Sequence, residues 1–144
     1  MKQKKYTYIH TPGHGYLSVS IKEIKRLGIQ NEISSFSYMD LSRIYLEEDC
    51  DLRLFIEAKK THKEEFSVVD SYRDVSELLP CGNYNPMYLN NPIQVGSIVE
   101  NGNCTYKVIE INKNIKIQDI ELDCRKFIVS KYNPYRYLTP KLKK

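Results

Sequence analysis

The 144-residue chain has no tryptophan, three histidines, four cysteines and six glycines. Each scarcity excludes something. Cys50, Cys81, Cys104 and Cys124 form no Cys-x-x-Cys pair, so neither a zinc ribbon nor a thioredoxin-type redox motif is present. No Gly-x-Ser-x-Gly elbow occurs, and no cysteine sits in a recognisable nucleophile context, which leaves acyl-transfer chemistry without its usual signature. No window holds the roughly 18 consecutive apolar residues that a spanning helix needs. The start, Met1-Lys-Gln-Lys-Lys-Tyr6, leads into polar alternation and not into the apolar core of a signal peptide. The expectation is a cytoplasmic protein with reduced thiols and no membrane partner.

Acidic residues run out towards the end. Residues 1–70 carry 11 basic and 11 acidic side chains, residues 71–144 carry 11 and 7, and none is acidic after Asp123. The net charge of +4 therefore belongs to the second half. Arg125, Lys126, Lys131 and Arg136 alternate there with Tyr135 and Tyr137. That is the composition of a surface that meets phosphates and stacks on bases, and equally that of a solvated tail.

What is present suffices for one folded unit. Hydrophobic content of 41% and charged content of 28% lie far from the disordered regime. Tyr6-Thr-Tyr-Ile-His10 and Tyr16-Leu-Ser-Val19 read as strands separated by a Pro12-Gly-His-Gly15 turn. Ser20 is placed to cap a helix, with Glu23 reaching back to complete a capping box, Val19 and Ile24 as a staple, and Gly28 as the left-handed stop. Ile33–Phe36 and Ser42–Leu46 read as strands, Asp49–Lys60 as a helix with acids at its head, and Phe66–Val69 as a returning strand. The order ββαββαβ predicts an α+β fold: an antiparallel or mixed sheet with two short helices on one face. Breakers at Pro80, Gly82, Asn85-Pro86 and Asn91-Pro92 mark 76–92 as a loop or linker. From 93 to 130, short β-prone runs around an Asn101-Gly102 turn predict a small all-β meander or partial barrel. Residues 131–144 form a basic aromatic tail, so the expected division is 1–75, 76–92, 93–130 and 131–144.

Two segments carry candidate chemistry. His10 and His14 have the His-x-x-x-His spacing of metal-binding helices, but Pro12-Gly13 forbids a helix there. On an extended strand the two lie about 13 Å apart, so only a tight turn brings them together. Glu47, Glu48, Asp49 and Asp51 then supply the remaining donors. A metal site would use His10, His14, Asp49 and Asp51, and a hydrolytic one His14, Glu48 and Asp49. The competing structural explanation is that the glycines make a turn and the acids satisfy free amides at a helix start. A phosphate cradle at Gly13-His14-Gly15 is disfavoured, because the next helix begins only after a strand. The third candidate surface is nucleic-acid contact through Arg125, Lys126, Lys131, Tyr135, Arg136 and Tyr137.

Pro12-Gly-His-Gly-Tyr-Leu-Ser-Val19, Leu27-Gly-Ile29, Ile33-Ser-Ser-Phe-Ser-Tyr38 and Tyr45-Leu-Glu-Glu-Asp-Cys-Asp51 follow one another in the order seen in a family of small bacteriophage and mobile-element proteins with no assigned reaction. Residues 6–75 resemble that family. The resemblance implies residence in a host cytoplasm and a non-enzymatic role: binding a host protein or a small nucleotide signal, as anti-CRISPR-like or signal-sequestering inhibitors do, with no cofactor. The metal-dependent hydrolase and the nucleic-acid binder stand as its alternatives.

Overall fold

The dense β-branched and aromatic run at the N-terminus pairs along its whole length, because each of its neighbours offers a complementary strand. The computed structural model describes residues 3–74, 82–90, 92–101, 104–111, 114–120, 126–129 and 139–140. In it β1 (Lys4–His10) lies between β2 (Gly15–Ser20), antiparallel, and β5 (Phe66–Tyr72), parallel. Beyond β2 come β4 (Arg43–Glu47), β3 (Tyr38–Met39) and β6 (Gly82–Asn83), each antiparallel to its neighbour, so the sheet order is β5-β1-β2-β4-β3-β6. The fold is α+β with a mixed sheet, as expected.

Helix α1 (Ile21–Leu27) begins and ends as its sequence requires. The Ser20 hydroxyl accepts from the Glu23 amide at 3.2 Å, and Gly28 adopts φ 72°. The reciprocal half of the capping box does not form, because Glu23 turns away to meet cations. Its carboxylate accepts from Lys4, Arg26, Lys59 and the Tyr6 phenol at 2.6–3.0 Å. Charge-assisted bonds of that kind outweigh a single backbone amide. Helix α2 (Leu52–Thr61) starts three residues later than the acidic run predicts.

Both helices cover one face of the sheet. Ile24, Leu27 and Phe55 join Tyr6, Leu17, Val19, Ile44 and Leu46 in one buried cluster. The Tyr6, Phe55 and Phe66 rings meet edge to face at 5.1–5.6 Å. The other face carries a smaller cluster, Ile9 and Tyr16 with Tyr38 and Tyr45.

Three expectations change. Ile33–Phe36 is a turn, not a strand, since the Ser34 amide and the Ser34 and Ser37 hydroxyls all donate to the buried Asp51 carboxylate at 2.5–2.9 Å. The strand falls instead at Tyr38–Met39. The segment read as a linker contains β6 and a short helix, α3 (Met87–Asn90), and it buries Tyr84 and Leu89 in the main cluster. Within the basic tail, β11 (Thr139–Pro140) pairs with β7 (Ile98–Asn101). The expected meander is present: β7, β8 (Cys104–Ile111), β9 (Ile115–Asp119) and β10 (Lys126–Val129) are antiparallel neighbours in an open sheet ordered β10-β9-β8-β7-β11. Asn101 pairs with Cys104, the register that the Asn-Gly signal predicts. Val99, Val108, Ile115 and Ile117 belong to the same buried cluster as the first sheet's core. Among the described residues no helix is long and apolar enough to cross a membrane.

Lys59 is 1% exposed, with its ammonium 5.2 Å from the Tyr6 ring centre and bonded to Glu23 and Glu64. Burial alone would push its pKa down, but Glu23, Glu64 and the Tyr6 phenol hold it above 10.5. Arg26, then Lys59, holds Glu64 at about 2, and Arg26 foremost holds Glu23 far below the ordinary carboxylate range. A depressed carboxylate stabilises the fold above its ordinary value near 4.5 and loses that contribution as pH falls. The urea midpoint should therefore fall steadily between about pH 4.5 and pH 2. Glu23→Gln, which leaves the buried Lys59 ammonium with Glu64 as its one carboxylate partner in the cluster, should cost about 3 kcal/mol at pH 7 and flatten that slope.

Candidate metal centre at the hairpin and helix junction

The β1–β2 connection is fixed by its own backbone and one hydroxyl. The Thr11 amide donates to the His14 carbonyl at 2.9 Å, the Thr11 hydroxyl donates to the same oxygen at 2.8 Å, and the His14 amide donates to that hydroxyl at 3.3 Å. His14 is thereby set at the mouth of the turn with its imidazole 59% exposed. Pairing of β2 with β4 places Tyr16 opposite Glu47, and the Glu48 amide donates to the Gly15 carbonyl at 3.0 Å. The acidic run at the end of β4 thus lies beside the histidine of the turn.

Each acid then has a separate task. Glu47 is buried. Its Oε1 lies 3.1 Å from His14 Nδ1, while Oε2 accepts the Asp49 and Cys50 amides, both at 2.9 Å. Burial opposes its charge, but the Cys50 thiol, these amides and His14 together keep its pKa below the usual value. The neighbouring Glu47 carboxylate foremost pushes the Cys50 thiol up. Glu48 accepts from the Tyr8 phenol at 2.5 Å. Burial first, and Glu48 second, raise the Tyr8 pKa to about 12, so the phenol stays protonated and holds the carboxylate in place. Asp49 is exposed. His14, Glu47, Glu48 and Asp49 each offer one ligand atom, and those four atoms lie within 4.8 Å of one another.

The two other predicted ligands are elsewhere. His10 points to β5, where its Nε2 lies 2.7 Å from Asp70 Oδ1 and its ring stacks on Tyr72 at 4.6 Å. Residues 10 and 14 flank the turn, but an extended strand end directs the first imidazole along the sheet. Asp51 is 2% exposed and committed to Ser34 and Ser37, so it neither caps α2 with its side chain nor joins the cluster. The predicted catalytic trio, His14, Glu48 and Asp49, does converge. Glu47, one of the acids named as a possible donor though outside both predicted sets, belongs with it, and so does Tyr8, which the sequence did not point to. The position of Glu47, two and three residues before the amides it caps, also marks it as a local structural acid; nothing in the sequence marks Tyr8. Of the basic surface, Lys126 is exposed on β10, and Arg125, Lys131, Tyr135, Arg136 and Tyr137 lie outside the described residues.

Gly15 is required for a reason different from the one a turn suggests. Its φ is not in the left-handed region, and neither is that of Gly13. A Cβ at position 15 would overlap the Tyr8 hydroxyl and lie 2.6 Å from Glu48 Oε2. Tyr8 reaches Glu48 only across a residue with no side chain.

Compared with protein-family models, with curated proteins and with solved structures, the chain matches none. Function must therefore be argued from the site.

Gly15→Ala should cost about 1–3 kcal/mol by overpacking. Gly13→Ala, with open space around its Cβ, should cost less than about 0.5 kcal/mol. Shortening the ring by Tyr8→Leu should recover part of the Gly15→Ala loss, and thermal melts of the single and double variants measure that coupling.

Proposed function

We propose that the chain is a divalent-metal-binding protein in which His14, Glu47, Glu48 and Asp49 hold the ion, and that the ion serves hydrolysis. The convergence of one imidazole and three carboxylates within 4.8 Å carries this reading. Mixed nitrogen and oxygen donors suit Mn²⁺, Zn²⁺ or Fe²⁺ better than Mg²⁺ or Ca²⁺, which favour oxygen alone. The Tyr8 hydroxyl on Glu48 and the amides on Glu47 are outer partners that orient ligands and tune their basicity.

The exposed rim formed by His14 and Asp49 leaves one side of the cluster open to solvent. An ion with an open position lowers the pKa of bound water and polarises a substrate oxygen. Of the four, Asp49, exposed and at the edge of the cluster, is the ligand that would exchange with solvent most readily, and when unbound its carboxylate would accept the proton from such a water.

An inhibitor of a host defence system remains the role that the sequence resemblance brings forward. It rests on motifs, and the same motifs supply His14, Glu47, Glu48 and Asp49. Because the grouping of four ligand atoms within 4.8 Å supports the metal-dependent reading, that reading ranks first.

Titration with Mn²⁺ or Zn²⁺ should stabilise the protein by about 2.7 kcal/mol when the ion is at a hundredfold excess over its dissociation constant. His14→Ala with Glu48→Gln should abolish that gain, while His62→Ala, at the far end of α2, should leave it intact. Mn²⁺-supported cleavage of an activated phosphodiester by the parent, lost in the double variant, would extend the reading to catalysis. A thermal midpoint indifferent to every divalent ion would overturn it.

A further inference from the structure

Among the described residues, strand β5 closes one side of the six-stranded sheet as a long edge with no further neighbour. The opposite edge, β6, is two residues long, whereas β5 spans seven. Among the described residues β5 pairs with β1 alone. The Arg73 amide donates to the His10 carbonyl at 2.9 Å, which fixes the alternation of the strand. Peptide groups of Ser67, Val69 and Ser71 face β1, and those of Phe66, Val68, Asp70 and Tyr72 face outward. No described group bonds to the outward set. The strand has none of the proline, lysine or bulge that blunts an edge, and Val68, Val69 and Tyr72 are exposed by 47%, 53% and 81%.

We propose that β5 pairs antiparallel with β5 of a second copy of this chain, about a two-fold axis through Val69, so that two sheets become one. The strand's own sequence selects that register. Outward peptide groups must meet outward ones, so the axis passes through a residue and not between two. Centred on Val69, all seven residues are opposed. Phe66 faces Tyr72 of the second copy, Ser67 faces Ser71, and Val69 faces itself. Val68 faces Asp70, whose carboxylate is turned to His10. Just past the strand ends, Glu65 comes opposite Arg73. Aromatic pairs, hydroxyl pairs and opposite charges across strands are each stabilising. An axis at Asp70 would oppose two carboxylates, and one at Val68 would set Lys63 against Arg73 and shorten the pairing. The self-complementarity is what a two-fold contact between identical surfaces demands.

Because Val69 lies at a non-hydrogen-bonded position, the two Val69 Cα atoms would approach to about 4.5 Å, within the span of a disulfide. In a chain whose four native cysteines are replaced by serine, Val69→Cys should give a disulfide-linked dimer on mild oxidation. Val68→Cys should stay monomeric, because its two copies are displaced along the strands. Sedimentation of the unmodified protein should show a concentration-dependent dimer, weakened about tenfold or more by Val69→Lys, which opposes two like charges. A monomer at every accessible concentration would overturn the proposal even if the cysteine variants fail to fold, and so would cross-linking through Val68→Cys as ready as through Val69→Cys.

Discussion

The ammonium of Lys59 is enclosed between aromatic rings, and its charge is tolerable there only because Glu23 and Glu64 lie 2.6 and 2.7 Å away. An unpaired buried charge would cost several kcal/mol. One cluster of charges therefore ties together β1 through Lys4 and Tyr6, α1 through Glu23 and Arg26, the end of α2 through Lys59, and the turn before β5 through Glu64. It explains why α1, only seven residues long, is held in register with the sheet. It also fixes the direction of α2, whose other end carries the acidic run. The candidate site is thus built at one end of a helix that is anchored electrostatically at the other.

At the site end, Asp51 and one oxygen of Glu47 do structural work, which leaves the other Glu47 oxygen, Glu48 and Asp49 free to act. Asp51 closes the Ser34–Ser37 turn from within, and Glu47 satisfies the amides of Asp49 and Cys50. Glu48 and Asp49, between them in sequence, are left facing His14. The notion that such acids merely favour a helix dipole is half right. It describes the amide-binding oxygen of Glu47 and leaves Glu48, held by a phenol across Gly15, without explanation. Rigidity bought with an absent side chain is a feature of built sites, where ligands must be held before the ion arrives.

Much of the frame was legible because it depends on near neighbours. Ser20 and Gly28 bound α1 through contacts three or four residues away, and the pairing of Asn101 with Cys104 is an equally local matter. What escaped depends on distant partners. Ile33–Phe36 has strand composition, yet a carboxylate 14 to 17 residues on claims Ser34 within it and Ser37 just after it. His10 meets Asp70 across 60 residues, a pairing that only the parallel placement of β5 beside β1 creates. Gly82 and Asn83 look like breakers and nevertheless pair with β3, since two residues need little β-propensity when an edge is waiting. The convergence of His14 with Glu47–Asp49 was readable as a possibility, whereas the removal of His10 and Asp51 from it was not.

The central claim is that an ion binds beside His14 and not elsewhere. Paramagnetic broadening by Mn²⁺, added well below one equivalent and read on the three histidine imidazoles by NMR, tests it most directly. The account predicts that the His14 ring signals vanish first while those of His62 persist. Equal broadening of all three, or an unaffected His14, would contradict it.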